Sequence, residues 1–337
     1  MNILSLIIVI LFNIIFYINL KKISKIIGIY DHPDNLRKQH GQVVPPIGGF
    51  AIIFSLIIFF LVNLSISNKE IYKEFFYEPN KIDLKSTFCF YFCTISLFIL
   101  GLKDDKNGLS ANLRLFFFGL IFYFAILLDN QLVLKSIDIE TLKISLELEN
   151  LKIFVTVFCF LVLVNSLNMY DGINLQSGSY LFFVFLFFTL KDVFSIFSIL
   201  IMISLLFFLF FNYKNKIFLG NQGIYSISFI IAFFIIKNYN TKNSISVEEV
   251  YLIFYLPMLD LLRLLIVRIY KNQNPFKADR NHIHHYVNNK LDNVLKTCIV
   301  NNLIAFTPLI IFTIYQSFYI LVAITILYFL LIFFIKK

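Results

Sequence analysis

The sequence predicts an all-α, polytopic bundle of transmembrane helices, and three observations carry that expectation. Of 337 residues, 59% are hydrophobic and only 15% charged, where a soluble domain would be roughly half apolar and a quarter charged. The mean hydropathy is +0.82. Apolar stretches of roughly 18 residues or more recur along the chain, each long enough to cross the hydrocarbon of a bilayer. Length alone would allow two soluble domains, but the hydropathy overrides that prior, and residues 1–337 read as one membrane domain. There are 43 phenylalanines and no tryptophan.

The length criterion gives about eleven candidate spans, near 3–20, 46–66, 86–102, 113–129, 153–169, 178–190, 193–211, 224–237, 250–267, 298–315 and 317–335. The first lacks the basic lead and small-residue cleavage site of a secretory signal, so it is expected to be retained. Spans 178–190 and 224–237 are the shortest. No internal repeat is evident, which counts against an inverted-repeat transporter. With the N-terminus outside, Lys and Arg are commoner in the inner loops than in the outer ones. The positive-inside rule therefore predicts an outer N-terminus and a cytoplasmic C-terminus. The four cysteines, Cys89, Cys93, Cys159 and Cys298, lie in or beside apolar segments and read as small packing residues rather than as a disulfide or metal set.

Five polar segments fall on the inner side of this topology: Asp31–Gly49, Gly101–Asp105, Asn165–Gly178, Gly220–Gly223 and Asp279–His285. The outer loops, such as Asn68–Glu78, read as solvated connectors. Asp104 and Asp105 sit just after a span; paired carboxylates suit Mg²⁺, which takes one or two of them plus substrate phosphates, although an isolated pair is more often a solvated turn. Asn165, Asn168 and Asp171 are spaced by three and share a helix face; helix capping is the equal alternative. GNQG at Gly220–Gly223 could bring backbone N–H groups to a phosphate, or be only a tight turn. His282, His284 and His285 follow Arg280 and suit contact with an anion better than zinc. Asp260 and Arg263, three apart inside a span, read first as a structural ion pair. Together, acids, glycine turns, imidazoles and a net charge of +9 suit divalent-ion phosphate chemistry beside an anionic lipid surface.

The segments DHPDNLRKQH with PPIGG, GLKDD with Arg114–Leu115, NSLNMYDGIN, FLGNQG and PFKADRNHIHH occur in this order over nearly the whole chain. In them the chain resembles the polyprenyl-phosphate N-acetylhexosamine-1-phosphate transferases, relatives of the phospho-N-acetylmuramoyl-pentapeptide transferases. The resemblance implies a multi-pass plasma-membrane enzyme with a cytoplasmic active site. It would transfer a sugar phosphate from a UDP-sugar to polyprenyl (undecaprenyl) phosphate and release UMP, initiating a cell-envelope polysaccharide. Carried over residue by residue, Asp104, Asp105, Asp171 and His282 become catalytic, and Asn168, Asn174, Arg280, His284 and His285 bind substrate. Asp104, Asp105 and Asn221 would hold Mg²⁺, with Mn²⁺ as the alternative. The implied partners are the lipid phosphate, the nucleotide sugar and the membrane, with a homodimer as an assembly option and no nucleic acid. Two positions depart from the family pattern: Asn221 stands where an Asp metal ligand is usual, and Asn174–Leu175 where Asp–Gly is usual. An inactive or retuned homologue is therefore the alternative; a transporter, which would need charges near the midplane, is a further one.

Overall fold

The computed structural model describes residues 3–33, 42–65, 84–241, 244–275 and 279–336. Arg37, Lys38 and His40, the connector Asn68–Glu78 and Phe276 lie outside them. The chain is a helical, multi-pass membrane protein. Backbone groups in hydrocarbon have no water to bond, so long apolar runs resolve as helices, and all eleven predicted segments do so.

The helices are α1 (Ile3–Ile18), α2 (Leu20–Ile27), α3 (Gly48–Ser65), α4 (Leu84–Asn107), α5 (Ala111–Leu128) and α6 (Lys152–Tyr170). They continue as α7 (Gln176–Leu190), α8 (Ser195–Tyr213), α9 (Asn221–Thr241), α10 (Val247–Tyr270), α11 (Ile283–Leu291), α12 (Val294–Tyr315) and α13 (Phe318–Lys336). Among the described residues, eight helices are long and apolar enough to cross a membrane, and nine if α1 and α2, bent by 76° at Asn19, count as one span. The apolar parts of α3 and α7 are shorter.

Three local expectations change. α4 runs on to Asn107, so Asp104 and Asp105 lie on its last turns rather than in a loop. The stretch after α5 is more than a connector: β1 (Ser136–Ile139) pairs antiparallel with β2 (Ile144–Glu147) as a hairpin. Lys237, the charge that closes the predicted span 224–237, is buried on α9 and donates to Asp129 at 2.8 Å and to Ser86. An ammonium removed from water needs such partners.

The chain forms two compact units, each assembled from separate stretches: Met1–Val133 with Gly178–Ser244, and Leu134–Ser177 with Ile245–Lys337. In the first, α9 is buried along nearly its whole length. A helix apolar all round is a core helix, and Phe supplies its packing. Phe194 stacks on Phe234 at 4.3 Å, and Phe90 meets Phe233 edge-on at 5.1 Å. Small residues let backbones approach: a Cβ on Gly49 would lie 2.3 Å from Gly223 Cα, and one on Gly101 2.3 Å from Gln222 Cα. In the second, α10 begins with a capping box of Ser246 and Glu249, which satisfies two N-terminal backbone donors. Glu248 accepts from Thr141 of the hairpin, backbone and side chain, at 2.9 Å each. All four cysteines are free.

Candidate active site

Three of the sequence motifs come together inside the first unit. The backbone of Pro45–Gly49 pairs with that of Phe218–Leu219 through Phe218 N to Pro45 O, Gly48 N to Phe218 O and Gly49 N to Leu219 O. Gln222 Nε2 donates to Pro46 O. Gly220 makes the turn with φ +79°, a conformation that costs glycine little. The turn delivers the start of α9 to the end of α4. Asp105 accepts there from Asn221 N at 3.0 Å and Gln222 N at 3.3 Å, a carboxylate capping a helix N-terminus. The first donors of α9 are thus engaged by Asp105, and the glycines serve turning and packing; the tight-turn reading of GNQG fits better than a phosphate cradle.

Asp104 is buried and well provided with donors. Its Oδ1 accepts from Leu109 N at 2.6 Å. Its Oδ2 accepts from Tyr225 OH at 2.5 Å, Asn221 Nδ2 at 3.1 Å and Arg114 Nη1 at 3.4 Å. Tyr225 carried no sequence signal, since it lies within an apolar run, whereas Arg114 was visible as a charge opening a span. Among the described residues no three His, Cys, Asp or Glu side chains gather as a metal cage. Asp104, Asp105 and Asn221 stand together, but their groups are engaged with one another and with the start of α9, so a Mg²⁺ ion there would have to displace some of these hydrogen bonds.

The other two motifs meet inside the second unit. Asp171 ends α6 and accepts a short hydrogen bond from Ser177 Oγ on α7. Burial pushes the Asp171 carboxyl up to about 6, with the Ser177 bond opposing. A carboxylate at a helix C-terminus also faces the unfavourable end of the dipole. This is a costly place for an acid, and such costs collect at functional sites. Asn165 turns back to Leu161 O at 2.7 Å, while Asn168 is half-buried on the last turn. Asn174 is half-buried too, its carbonyl accepting from Cys298 Sγ at 3.3 Å.

The Gly172 turn lies directly against the histidines. A Cβ on Gly172 would stand 2.2 Å from His284 Nε2, and Tyr170 packs edge-on to the His284 ring at 5.6 Å. His282 is the N-cap of α11, with His284 and His285 on its first turn. The rings of His284 and His285 are 4.4 Å apart, those of His282 and His284 5.4 Å. His284 is fully buried, and among the described residues neither of its ring nitrogens has a hydrogen-bond partner; His285 Nδ1 also lacks one. Burial, then the neighbouring imidazoles, hold His284 well below the usual histidine value. Burial, then Arg280, lower His285 to about 4. Arg280 is itself half-buried.

Asp260 is more than the ion-pair partner its spacing suggested. It bonds Arg263 at 2.8 Å and also His282 Nδ1 at 2.8 Å. Arg268, which the sequence reading passed over, holds the segment before the histidines. It donates to Pro275 O at 2.7 Å and to Asp279 at 3.0 and 3.2 Å.

Fold and site define a multi-pass membrane protein with an oxygen-rich acidic patch in one unit and a buried imidazole cluster in the other. Residues 87–239 match the family described as glycosyl transferase family 4. An undecaprenyl-phosphate alpha-N-acetylglucosaminyl 1-phosphate transferase of Salmonella typhi is 25% identical over 296 residues, covering 84% of this chain and 75% of the relative. The protein of that name from Escherichia coli K12 is 23% identical over the same shares. The one from Thermotoga maritima is 26% identical over 262 residues, or 77% and 73%. The similarity to these undecaprenyl-phosphate N-acetylglucosaminyl 1-phosphate transferases extends over most of the chain, while the family match covers its middle part.

Proposed function

We propose that the chain transfers an N-acetylhexosamine 1-phosphate from a UDP-sugar to undecaprenyl phosphate, giving a lipid-diphosphate-linked sugar and UMP. The observation that carries this reading is the buried His284, both nitrogens unpartnered, over the Asp171–Gly172 turn. A buried polar group without a partner calls for an explanation, and an anionic ligand supplies one. The names of the relatives supply the acceptor and the sugar phosphate.

Asp104, Asp105 and Asn221 would hold Mg²⁺, or Mn²⁺ in its place; once bound, the ion neutralises charge on phosphate oxygens. The residues of the chain supply the rest. Arg280 and the histidines offer donors to the diphosphate. Asn168, Asn174 and Asp171 line the nucleotide-sugar side. The acceptor phosphate is already an oxygen nucleophile, so alignment and charge neutralisation lower the barrier, and no covalent enzyme intermediate is needed. Residues 1–337 act as one transferase domain in the plasma membrane, with eleven spans, an outer N-terminus and the reaction on the cytoplasmic side. The basic bias of the loops supports that orientation. The product would begin a cell-envelope polysaccharide.

The test is a transferase assay on the full-length protein in detergent, with undecaprenyl phosphate, Mg²⁺ and a panel of UDP-N-acetylhexosamines. Lipid-dependent UMP release, lost in D104N and D105N, is expected. No lipid-dependent release with any donor sinks the reading and favours an inactive homologue.

A further inference from the structure

The Asp260 carboxylate on α10 is bonded both to the ring of His282 and to the backbone of the residue after it. Its Oδ2 lies 2.8 Å from His282 Nδ1, and both its oxygens lie 3.3 Å from Ile283 N, the next residue. Its Oδ1 accepts from Arg263 Nη2 at 2.8 Å and from Tyr328 OH of α13 at 2.9 Å. Arg263 in turn donates to Asn281 O, the residue before His282, at 2.6 Å, and to Tyr328 OH at 3.1 Å. Two side chains three residues apart on one helix therefore clamp residues 281, 282 and 283. A plain ion pair would need only Arg263; this carboxylate is also spent on an imidazole.

The chemistry of that contact is directional. An ionised carboxylate only accepts, so Nδ1 of His282 donates. The neutral ring then has its lone pair at Nε2, the tautomer being set by the bond at the other nitrogen. When the ring takes a second proton, Nε2 becomes a donor and Asp260 balances the charge. Ring donors of this kind suit phosphate oxygens.

We propose that Asp260 is a positioning residue for phosphate transfer: by accepting from Nδ1 it fixes the orientation and tautomer of His282, so that Nε2 is left to exchange a proton with the phosphate of the substrate. This rests on the transferase reading and adds to it a residue outside the five polar segments. The charged and titratable groups facing His282 are Asp260 and Arg263 from α10, Tyr328 from α13, and Arg280, His284 and His285 from its own segment. Among them Asp260 is the carboxylate in contact with the ring.

Full-length D260N, H282Q and the double variant would be assayed for lipid-dependent UMP release across pH. Loss of a residue that orients a functional histidine typically costs about 10–100-fold. That fall in kcat is expected for D260N at each pH tested, with no added loss in the H282Q background. Full additivity with H282Q, at a wild-type thermal midpoint, would overturn the proposal. Should D260N not fold, imidazole ¹⁵N spectra of the wild-type chain decide, with the His282 signals assigned by their absence in H282Q. In the neutral ring a proton on Nδ1 and none on Nε2 is expected; the opposite tautomer overturns the proposal. The spectra need no turnover. A chain inactive on every donor would count against the transferase reading and leave this test standing.

Discussion

The acidic patch of the first unit and the imidazole cluster of the second solve opposite problems. Asp104 and Asp105 are surrounded by donors from their own unit: Tyr225, Asn221, Leu109 and Arg114 for one, the start of α9 for the other. His284 and His285 are packed against Tyr170, Gly172 and each other, yet keep ring nitrogens without partners. The acidic patch is complete without a ligand; the histidine cluster is not. A saturated patch can be structural as well as functional, and substitution will disturb both roles. An unsaturated one costs folding free energy and is kept where a ligand repays it.

The largest effect that can break this contrast is at Asp104. A metal-held phosphate loses several kcal/mol of transition-state stabilisation when its carboxylate is neutralised, so D104N is expected to lower kcat/KM by about a thousandfold. Because Asp104 also ties α4 to α5 and α9, the thermal midpoint should fall as well. An unchanged midpoint would show the patch to be less structural than its hydrogen bonds suggest.

Next in size is Asp171. Its folded value, about 6, lies above the ordinary 3.8. Between these pH values the folded chain holds a proton that the unfolded chain releases, so stability falls as pH rises through this window. At 1.36 kcal/mol per unit the cost above pH 6 reaches at most about 3 kcal/mol. D171N should therefore raise the thermal midpoint relative to wild type at pH 8, with little difference at pH 4, while activity drops. His284 and His285 act in the other direction. Their depressed values make the folded state lose stability as pH falls below about 6.5. The comparison must accordingly be variant against wild type at each pH. An equal shift at pH 4 and pH 8 would remove Asp171 from the account.

How much of this was legible in sequence differs between the two regions. The spans were, because a long apolar run has only one way to satisfy its backbone in lipid. The end of α4 was not. Hydropathy stops at the first charge, but the helix continues because Asp104 finds Arg114 and Tyr225, from two other helices. GNQG looked ambiguous, and the fold decides it by giving the donors of α9 to Asp105. In the histidine region, Asp260 and Arg263 announced a pair through their i, i+3 spacing. The third member, His282, is 22 residues further on. No periodicity links it to α10; only the return of the chain after that helix does. The contact of Gly172 with His284 was likewise invisible, since glycine signals freedom but not what fills the space beside it.

That contact gives the next test of the contrast. Alanine at 172 would place a Cβ 2.2 Å from His284 Nε2, and the buried ring would have to move. Displacement of about 1 Å near the chemistry can cost about a hundredfold in rate. G172A is expected to lose about that much kcat/KM with a modest drop in thermal midpoint. A variant with wild-type kinetics would mean that the position of His284 is immaterial to turnover.

The smallest effect is the most discriminating for the acidic patch. Asn221 donates through its amide to Asp104 at 3.1 Å, so the patch is self-satisfied where the family that the chain resembles usually has a third carboxylate. Aspartate there would bring like charge beside Asp104 and Asp105, partly offset by the start of α9. Without metal, N221D should be less stable than wild type. With Mg²⁺ the added charge should be repaid, and half-saturation should fall to about one tenth, the scale of one favourable site contact. Thermal midpoints with and without Mg²⁺, alongside the Mg²⁺ dependence of UMP release, measure both. A lower midpoint that Mg²⁺ restores, with tighter half-saturation, means that the patch is a metal site weakened by Asn221. A lower midpoint that Mg²⁺ leaves untouched means that the hydrogen bonds around Asp104 are its whole purpose.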